Sequence, residues 1–274
     1  MKSRYRDLFS LTGKNAVVTG GIGILGRCFC QGLAEFGANV AVVDLDQQEV
    51  SRFAGELASE FGIKAVGIRC DVSDPALVAG MVKQAVEFFG EINILHNNAA
   101  SKSMDLDAFF ASFEDYSLNE WRRIMSVNVD GMFLVAQAVG GQMIAQGKGG
   151  SIIQTSSVYG ILGSDQRIYE GSYYLGRPIN NPGVYSTSKA AVIGLTRYLA
   201  TNWAEKGIRV NTLTPGGVES GQNETFKEKY SARVPMGRMA QAHELLGAVI
   251  FLASDASSYV TGQNIVVDGG LSAW

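Results

Sequence analysis

Few residues in this chain belong to the types that bind metals or cross-link a fold. Its 274 residues include three cysteines and two histidines, and Cys28 and Cys30 lie two positions apart on a predicted helix, where their side chains point in different directions. The spacing of Cys70, His96 and His243 also differs from that of zinc ligands. We therefore interpret the cysteines as core residues and expect no metal site.

Charge and long apolar runs are also scarce. The formal net charge is −3 and the pI is near 5.5, without the Lys/Arg cluster that a nucleic acid or a membrane surface attracts. No apolar run approaches the roughly 18 residues that span a bilayer, and residues 1–7 contain no apolar signal-peptide core. We expect a cytoplasmic protein that binds neither nucleic acid nor membrane.

Apolar, strand-like runs alternate with helical patterns along the chain. The predicted strands are residues 15–19, 39–44, 65–71, 92–97, 151–155, 209–213 and 264–267. Such alternation predicts an α/β fold with a parallel sheet that is covered on both faces. Because no Pro/Ser-rich linker divides the chain, we expect a single domain over residues 1–274. It should be a Rossmann-type, doubly wound sheet of about seven strands, with ligands at their carboxyl ends.

Three segments are longer than the loops that such a fold needs. They lie near residues 101–117, 160–183 and 215–240, each after a predicted strand. Long loops in compact domains commonly bind ligands, so we predict that these segments are substrate loops over the crevice. The third is rich in glycine and charged residues and is a candidate for a mobile lid.

A glycine-rich turn, residues 19–26, joins the first predicted strand to a helical stretch. In this context glycines let the backbone approach a pyrophosphate, while the N–H groups and dipole of the following helix favour its negative charge. Asp44 ends the second strand, where a carboxylate can accept hydrogen bonds from the adenosine ribose and repel a 2′-phosphate. Since residues 20–26 contain no Lys or Arg, this pattern favours NAD over NADP. In the alternative interpretation, Asp44 points away and Asp46 is only a helix N-cap.

Tyr185 and Lys189 are four residues apart, on one face of a predicted helix. A tyrosine has a pKa of about 10, and a nearby opposite charge lowers such a value by roughly 1 to 3 units. We therefore expect Tyr185 to be a usable proton acceptor near neutral pH. Asn181 and Pro182 are predicted to be the N-cap and first-turn proline of this helix.

The glycine turn, the serine pair 156–157 and the Tyr-x-x-x-Lys motif together resemble the short-chain dehydrogenase/reductase family. The C-terminal segment 261–270 is similar to that of its single-domain branch, although the spacing of Gly20, Gly23 and Gly26 matches the longer branch. The resemblance implies hydride transfer between a secondary alcohol carbon and a nicotinamide cofactor.

The resemblance also implies site residues. The catalytic tetrad would be Asn128, Ser157, Tyr185 and Lys189. Tyr185 would exchange the proton with the substrate oxygen, which Ser157 orients. Lys189 would lower the tyrosine pKa and hold the nicotinamide ribose, and Asn128 would support a water-linked proton path. The cofactor neighbours would be Gly20, Gly23, Ile24, Leu25, Asp44, Leu45, Asp71, Val72, Asn98, Ala99, Tyr185, Lys189, Pro215, Gly216 and Val218.

Tyr185 follows Ser157 by 28 positions, so extra chain enters beside the catalytic tyrosine. This insert is rich in hydrogen-bonding and aromatic side chains, which suits a sugar or sugar acid better than a fatty chain. The segment 156–171 also resembles that of dehydrogenases in bacterial glycan pathways.

Two alternatives remain open. The first is an NADPH-dependent 3-oxoacyl carrier-protein reductase, and the second is a dinucleotide-binding protein without catalytic activity. The helical stretch 131–139 is apolar nearly all round, which predicts that a partner covers it, and the resemblance implies a homotetramer.

Overall fold

Seven parallel strands form the centre of the molecule, and the computed structural model describes residues 5–101 and 105–274. The strands in chain order are β1 Asn15–Thr19, β2 Asn39–Asp44, β3 Ala65–Arg69, β4 Ile94–Asn97, β5 Gly150–Thr155, β6 Tyr173–Tyr174, β7 Arg177–Pro178, β8 Ile208–Pro215 and β9 Asn264–Val267. The helices are α1 Ile24–Glu35, α2 Gln47–Phe61, α3 Pro75–Phe89, α4 Leu106–Phe109, α5 Leu118–Met125, α6 Met132–Gln146, α7 Gly183–Trp203, α8 Glu224–Ser231 and α9 Leu246–Ala253.

The order of strands in the sheet is β3-β2-β1-β4-β5-β8-β9, and each neighbouring pair is parallel. The order reverses between β1 and β4, so a ligand crevice is expected at the carboxyl ends of these two strands. Helices cover both faces of the sheet. The prediction of a doubly wound, Rossmann-type domain is therefore confirmed.

The ends of some strands differ from the prediction. β3 ends at Arg69 rather than Asp71, because the Asp71 carboxylate accepts hydrogen bonds from the Ser73 amide at 2.9 Å and its hydroxyl at 2.7 Å. These bonds turn the chain away from the sheet. β4 begins two residues later than expected, and β8 extends to Pro215, which brings the segment after β8 to the same edge.

Two apolar layers hold the helices on the sheet. On one face, Phe29 of α1 and Leu252 of α9 are fully buried. On the other face, Met81 of α3 and Met143 of α6 are fully buried beside Trp203 of α7. Burial of a large apolar side chain contributes about 1.5 to 3 kcal/mol, so both layers stabilise the sheet that carries the site.

Helices α5 and α6 are joined by a π-helical segment, Ser126–Gly131, into one long helical stretch. Residues 118–146 are apolar enough to cross a membrane by length and composition, and 44% of the most apolar window is buried. Val135, Val139 and Met143 pack against the sheet, so we interpret this stretch as a core helix.

Helix α7 begins at Gly183 with Pro182 as its N-cap, one residue later than predicted. Asn181 is therefore not the cap, and its Nδ2 instead donates to the Ser186 hydroxyl at 2.8 Å. Pro182 has extended backbone angles, φ −64° and ψ 142°, which a residue before the first helical turn adopts. Tyr185 still lies in the first turn of α7.

Candidate active site

The glycine turn between β1 and α1 is closely packed. A Cβ atom at Gly26 would lie 1.9 Å from the Gly20 carbonyl oxygen, and one at Gly21 would lie 2.8 Å from a Val42 methyl group. Gly20 also has a φ of +66°, which glycine adopts readily. Gly23 caps α1 and has no side chain, so the first N–H groups of this helix are available to an anion. The turn therefore fits a dinucleotide pyrophosphate.

Asp44 lies at this turn, as predicted. Its Oδ2 accepts a hydrogen bond from the Ile22 amide at 3.2 Å, and its Oδ1 accepts one from the Leu45 amide at 2.8 Å. Asp46 is the N-cap of α2, where it accepts from the Gln48 amide at 2.9 Å and the Glu49 amide at 3.1 Å. The two acidic residues thus have separate positions, and Asp44 is the one at the cofactor turn.

Thr19, the last residue of β1, joins the glycine turn to the end of β4. Its hydroxyl accepts hydrogen bonds from the amides of Asn98 at 2.9 Å and Ala99 at 3.1 Å, and donates to Asn97. A Cβ at Gly20 would lie 3.0 Å from the Ala99 Cα. The structure therefore brings Gly20, Asn98 and Ala99 together, and the sequence analysis had not assigned this role to Thr19.

The remaining predicted cofactor neighbours lie around this edge in different environments. Ile24 and Leu45 are exposed beside the glycine turn, whereas Leu25 packs against the core under α1. The Asp71 carboxylate is bonded within its own turn, and Val72 packs against Gly131 of the π-helical segment. Their contacts with a cofactor stay predictions.

Backbone contacts fix residues 216–218, which directly follow β8. Gly216 donates from its amide to the Val267 carbonyl at 2.9 Å. The Gly217 amide donates to the Tyr230 hydroxyl of α8, and Val218 forms an isolated bridge with Ala240. Pro215, at the end of β8, precedes these contacts. The predicted third loop thus contains a helix, α8, and is tied to the sheet edge at both ends.

Asn128 lies on the π-helical segment and is fully buried. Its Oδ1 accepts from the Ser101 amide at 2.8 Å, and its Nδ2 donates to the Ser188 hydroxyl of α7 at 3.2 Å. Asn128 therefore joins the end of the β4 loop to the helix that carries Tyr185. Hydropathy gave no signal for the π turn, although such turns are frequent at functional sites.

Ser157 lies just after β5 and caps the short turn Val158–Gly160. It interacts with the Tyr185 hydroxyl, and this contact opposes part of the rise in the tyrosine pKa that burial causes. Its neighbour Ser156 instead donates to the Lys189 carbonyl at 2.7 Å, a bond that supports the α7 backbone. Ser157, rather than Ser156, is therefore the serine in contact with the Tyr185 hydroxyl, and its catalytic role stays a prediction.

Lys189 is 3% exposed, and its ammonium donates to the Thr155 carbonyl at 3.0 Å. The Nζ atom lies 5.9 Å from the centroid of the Tyr185 ring. The two side chains thus meet on one face of α7, as the spacing predicted. The Thr155 carbonyl is a partner that the sequence analysis missed, because a backbone group carries no sequence signal.

The expected direction of the tyrosine pKa was wrong. In the structure the pKa of Tyr185 is raised, because burial of the phenol outweighs the hydrogen bond from Ser157. Burial also lowers the pKa of Lys189 to about 8, because an ammonium loses hydration in the interior. Of these two side chains, Lys189 therefore has the pKa that is closer to neutral pH.

A Rossmann-type sheet, a glycine turn for a pyrophosphate and a Ser–Tyr–Lys set at the same edge together define a nicotinamide-dependent oxidoreductase. The cradle formed by Gly20, Gly21 and Gly26 fits the cofactor, since a side chain at Gly26 would collide with the backbone that faces it.

Comparisons with known proteins agree with this class. The family model described as "Enoyl-(Acyl carrier protein) reductase" matches residues 20–272. The chain is 34% identical to D-threitol dehydrogenase of Mycolicibacterium smegmatis, over 96% of this chain and 94% of that protein. It is 34% identical to gluconate 5-dehydrogenase of Gluconobacter oxydans, with 97% of both chains covered. The crystal structure of a gluconate 5-dehydrogenase from Burkholderia cenocepacia in complex with NADP and tartrate has a TM-score of 0.86 and 35% identity, and the match covers 99% of this chain and 100% of that one.

The chain therefore belongs to the short-chain dehydrogenase/reductase family. It is an NAD(P)-dependent oxidoreductase that acts on CH–OH donors.

Proposed function

We propose that this protein is an NAD-dependent dehydrogenase that interconverts a secondary alcohol and a ketone on a small, sugar-like substrate. One observation carries the proposal. Tyr185 and Lys189 meet on one face of α7, with Ser157 against the tyrosine hydroxyl, at the edge of the sheet that holds the glycine turn.

Tyr185 and Lys189 have different roles in proton transfer. Because the Tyr185 pKa is raised, its phenol is protonated at neutral pH and is ready to donate to a substrate carbonyl. In the opposite direction Tyr185 must first release its proton, and Lys189, with a pKa of about 8, is the nearby group whose neutral form accepts one. Ser157 orients the substrate oxygen, and Asn128 fixes α7 through Ser188. A bound nicotinamide dinucleotide supplies the hydride acceptor or donor.

Replacement of the Tyr185 hydroxyl tests this assignment. We expect Tyr185→Phe to lower kcat by at least about 100-fold, since general acid–base catalysis contributes about that much or more. Tyr5→Phe is the matched control, because Tyr5 is 89% exposed and lies outside both the site and the proposed interface. Unchanged dehydrogenase activity in Tyr185→Phe would contradict the proposal. A wild type that binds the cofactor but shows no dehydrogenase activity would favour a non-catalytic dinucleotide-binding role.

The preference for NAD rests on Asp44. Its carboxylate lies at the glycine turn, where it would repel a 2′-phosphate. Arg27 of α1 donates to the Ile22 carbonyl and forms an ion pair with Glu49, so it is already engaged, whereas Arg69 of β3 is the strand neighbour of Asp44. Two similar structures contain bound NADP, so the preference of this protein for NAD needs a direct test.

Initial rates with NADH and NADPH, or with NAD and NADP, measure the preference. We expect Asp44→Ser to shift the ratio of kcat/KM toward NADP by about tenfold or more, because juxtaposed like charges cost several kcal/mol. Asp46→Ser is the control, since serine caps a helix about as well as aspartate, and the change should leave the cofactor ratio unchanged. A clear NADPH preference of the wild type would refute the NAD assignment.

The substrate class follows from the polar loops and from the relatives. The insert presents hydrogen-bonding and aromatic groups, and similar proteins are named for threitol and gluconate. We propose a polyol, aldonate or amino sugar, to be identified by a screen of NAD-dependent oxidation across these three classes. The alternative, a 3-oxoacyl carrier-protein reductase, shares a carrier-protein substrate with the enoyl reductase for which the family model is named. Turnover of a 3-oxoacyl thioester with NADPH, in the absence of polyol oxidation, would establish that alternative.

We further propose a cytoplasmic homotetramer built through α6, α7 and the C-terminal region. Phe133 of α6 is 46% exposed and Tyr198 of α7 is 65% exposed, on the long apolar stretch and the catalytic helix respectively. A monomeric sedimentation profile at micromolar concentration would contradict the assembly, and cell fractionation tests the location.

A further inference from the structure

Two further tyrosine hydroxyls form a pair beside the catalytic tyrosine. Tyr159 lies on the short turn after β5, two residues beyond Ser157, and Tyr169 ends the short helical turn Gln166–Tyr169 inside the insert. The Tyr169 hydroxyl donates to the Tyr159 hydroxyl at 3.2 Å. Both side chains are half-buried, and Tyr169 lines a cavity between the insert and the start of α7 together with Asn181 and Ser186.

Backbone contacts place Tyr159 next to the catalytic groups. Its amide donates to the Ser157 hydroxyl at 3.3 Å. The following residue, Gly160, packs so closely on α7 that a Cβ there would lie 2.7 Å from the Lys189 carbonyl oxygen. The turn that carries Tyr159 is therefore packed between Ser157 and the backbone of Lys189.

The electrostatics agree with this placement. Tyr159 raises the pKa of Tyr185, and Tyr185 in turn raises the pKa of Tyr169. Three hydroxyls are thus close enough to respond to one another's charge. Burial raises the pKa of Tyr159 and of Tyr169 as well, so both phenols keep their protons through the physiological range.

The insert is held rigidly at Tyr169. The ring of Tyr169 lies with its centroid 5.3 Å from that of Phe226 in α8, in an apolar cluster that also contains Ile168 and Tyr230. Lys229 of α8 donates to the carbonyl of Glu170 at 2.6 Å. The pair is therefore preorganised by packing between the insert and α8 rather than left on a loose loop.

The two hydroxyls of the pair differ in the hydrogen bonds that they can still form, because one donates to the other. A phenol offers one proton and two lone pairs, and the proton of Tyr169 is used on Tyr159. The proton of Tyr159 and the lone pairs of Tyr169 remain to serve other groups. A carbinol hydroxyl, which both donates and accepts, matches that pattern. A methylene group in the same place would offer no hydrogen bond.

We propose that the Tyr159–Tyr169 pair binds the hydroxyl next to the reacting carbinol and thereby selects vicinal diols over simple secondary alcohols. The inference rests on the proposed function, because it concerns the substrate of the same site. Tyr159 contacts the substrate hydroxyl, and Tyr169 is a positioning residue that acts through Tyr159.

The test compares D-threitol with 2-butanol, which has the same number of carbons but no neighbouring hydroxyl. We expect Tyr159→Phe to lower kcat/KM for D-threitol by about 10- to 100-fold, mostly through KM, because the substrate hydroxyl loses its partner. The rate with 2-butanol should stay unchanged. Tyr169→Phe should give a smaller loss of the same kind. Tyr173→Phe is the matched control, since Tyr173 lies in the same insert and is 58% exposed.

The outcomes separate this inference from the proposed function. An equal loss on both substrates, or no loss on either, would overturn the role of the pair while leaving the dehydrogenase assignment intact. A wild-type enzyme that oxidises 2-butanol as well as D-threitol would also overturn it. A wild type that oxidises neither alcohol nor any polyol or aldonate, with NAD or NADP, would overturn both.

Discussion

Lys189 is the residue whose replacement tests the physical account of the site most directly. Its ammonium is 3% exposed, and burial lowers its pKa from 10.5 to about 8. A difference of this size corresponds to about 3 kcal/mol at pH 7, because each pKa unit is worth about 1.4 kcal/mol. The charged lysine therefore destabilises the folded chain, and an apolar replacement of similar length should remove that cost.

We expect Lys189→Met to be inactive yet more stable than the wild type at pH 7. The gain is reduced by loss of the hydrogen bond to the Thr155 carbonyl, which costs about 1 to 2 kcal/mol. The net effect should be about 1 to 2 kcal/mol, or a rise in Tm of about 2 to 4 °C for a domain of this size. Chemical unfolding followed by circular dichroism, together with thermal scans, measures both quantities.

The pH dependence of the gain identifies its cause. Because the folded pKa lies below the unfolded one, the unfolded chain binds the proton more tightly, and the cost of burying the charge fades as the pH rises from about 8 to above 10. The advantage of Lys189→Met over the wild type should therefore shrink between pH 7 and pH 10 by about 2 kcal/mol.

A matched replacement on the surface controls for the loss of a positive charge. Lys83→Met changes a side chain that is 76% exposed, and it should alter stability by less than about 0.5 kcal/mol at either pH. A Lys189→Met variant that is less stable than the wild type at pH 7, or whose advantage is the same at pH 7 and pH 10, would refute the desolvation argument.

Three further predictions concern the turn, the core and the pH profile. Gly26→Ala should lose cofactor binding and several kcal/mol of stability, because its Cβ would lie 1.9 Å from the Gly20 carbonyl oxygen. Gly55→Ala is the control on the open surface of a helix, and its free energy of unfolding in urea should rise by about 0.5 to 1 kcal/mol. Burial lowers the pKa of His96 to about 3, so the wild type should lose about 3 kcal/mol more than His96→Gln between pH 7 and pH 4, since the unfolded histidine binds the proton first. Alcohol oxidation should rise through a pH of about 8 in the wild type and stay flat from pH 7 to 9 in Lys189→Arg, whose guanidinium does not titrate there; a rise with the same midpoint in that variant would contradict the role of the lysine.

Periodicity and motif spacing were sufficient to predict the sheet and the turn. The apolar runs at residues 39–44 and 151–155 coincide with buried strands to within one residue, because a strand buried on both faces needs a continuous apolar run. The order of glycines after β1 was equally informative, since collisions at Gly26 leave no room for another residue. The position of Asp44 followed from its place at the end of β2.

Tertiary contacts account for what the sequence could not predict. The partners of Lys189 and Asn128 are a backbone carbonyl and a serine on another helix, which spacing along the chain does not reveal. The direction of the Tyr185 pKa was wrong for a related reason. Its sequence neighbours showed a positive charge one turn away, but only the fold shows how deeply both side chains are buried. Desolvation then sets the direction of both pKa values, and the contact with Ser157 offsets only part of it for Tyr185.

The cost of burying Lys189 implies that the site is held by contacts that do not involve its charge. Ser156 bonds to the Lys189 carbonyl, and Gly160 packs against the same backbone, so the position of the lysine is determined by α7 and the turn after β5. The ammonium can therefore lose its proton without releasing the helix. This arrangement suits proton transfer, because backbone contacts hold α7 while burial destabilises the charged form of Lys189. Neither protonation state of the lysine is then needed to keep Tyr185 and Ser157 in place.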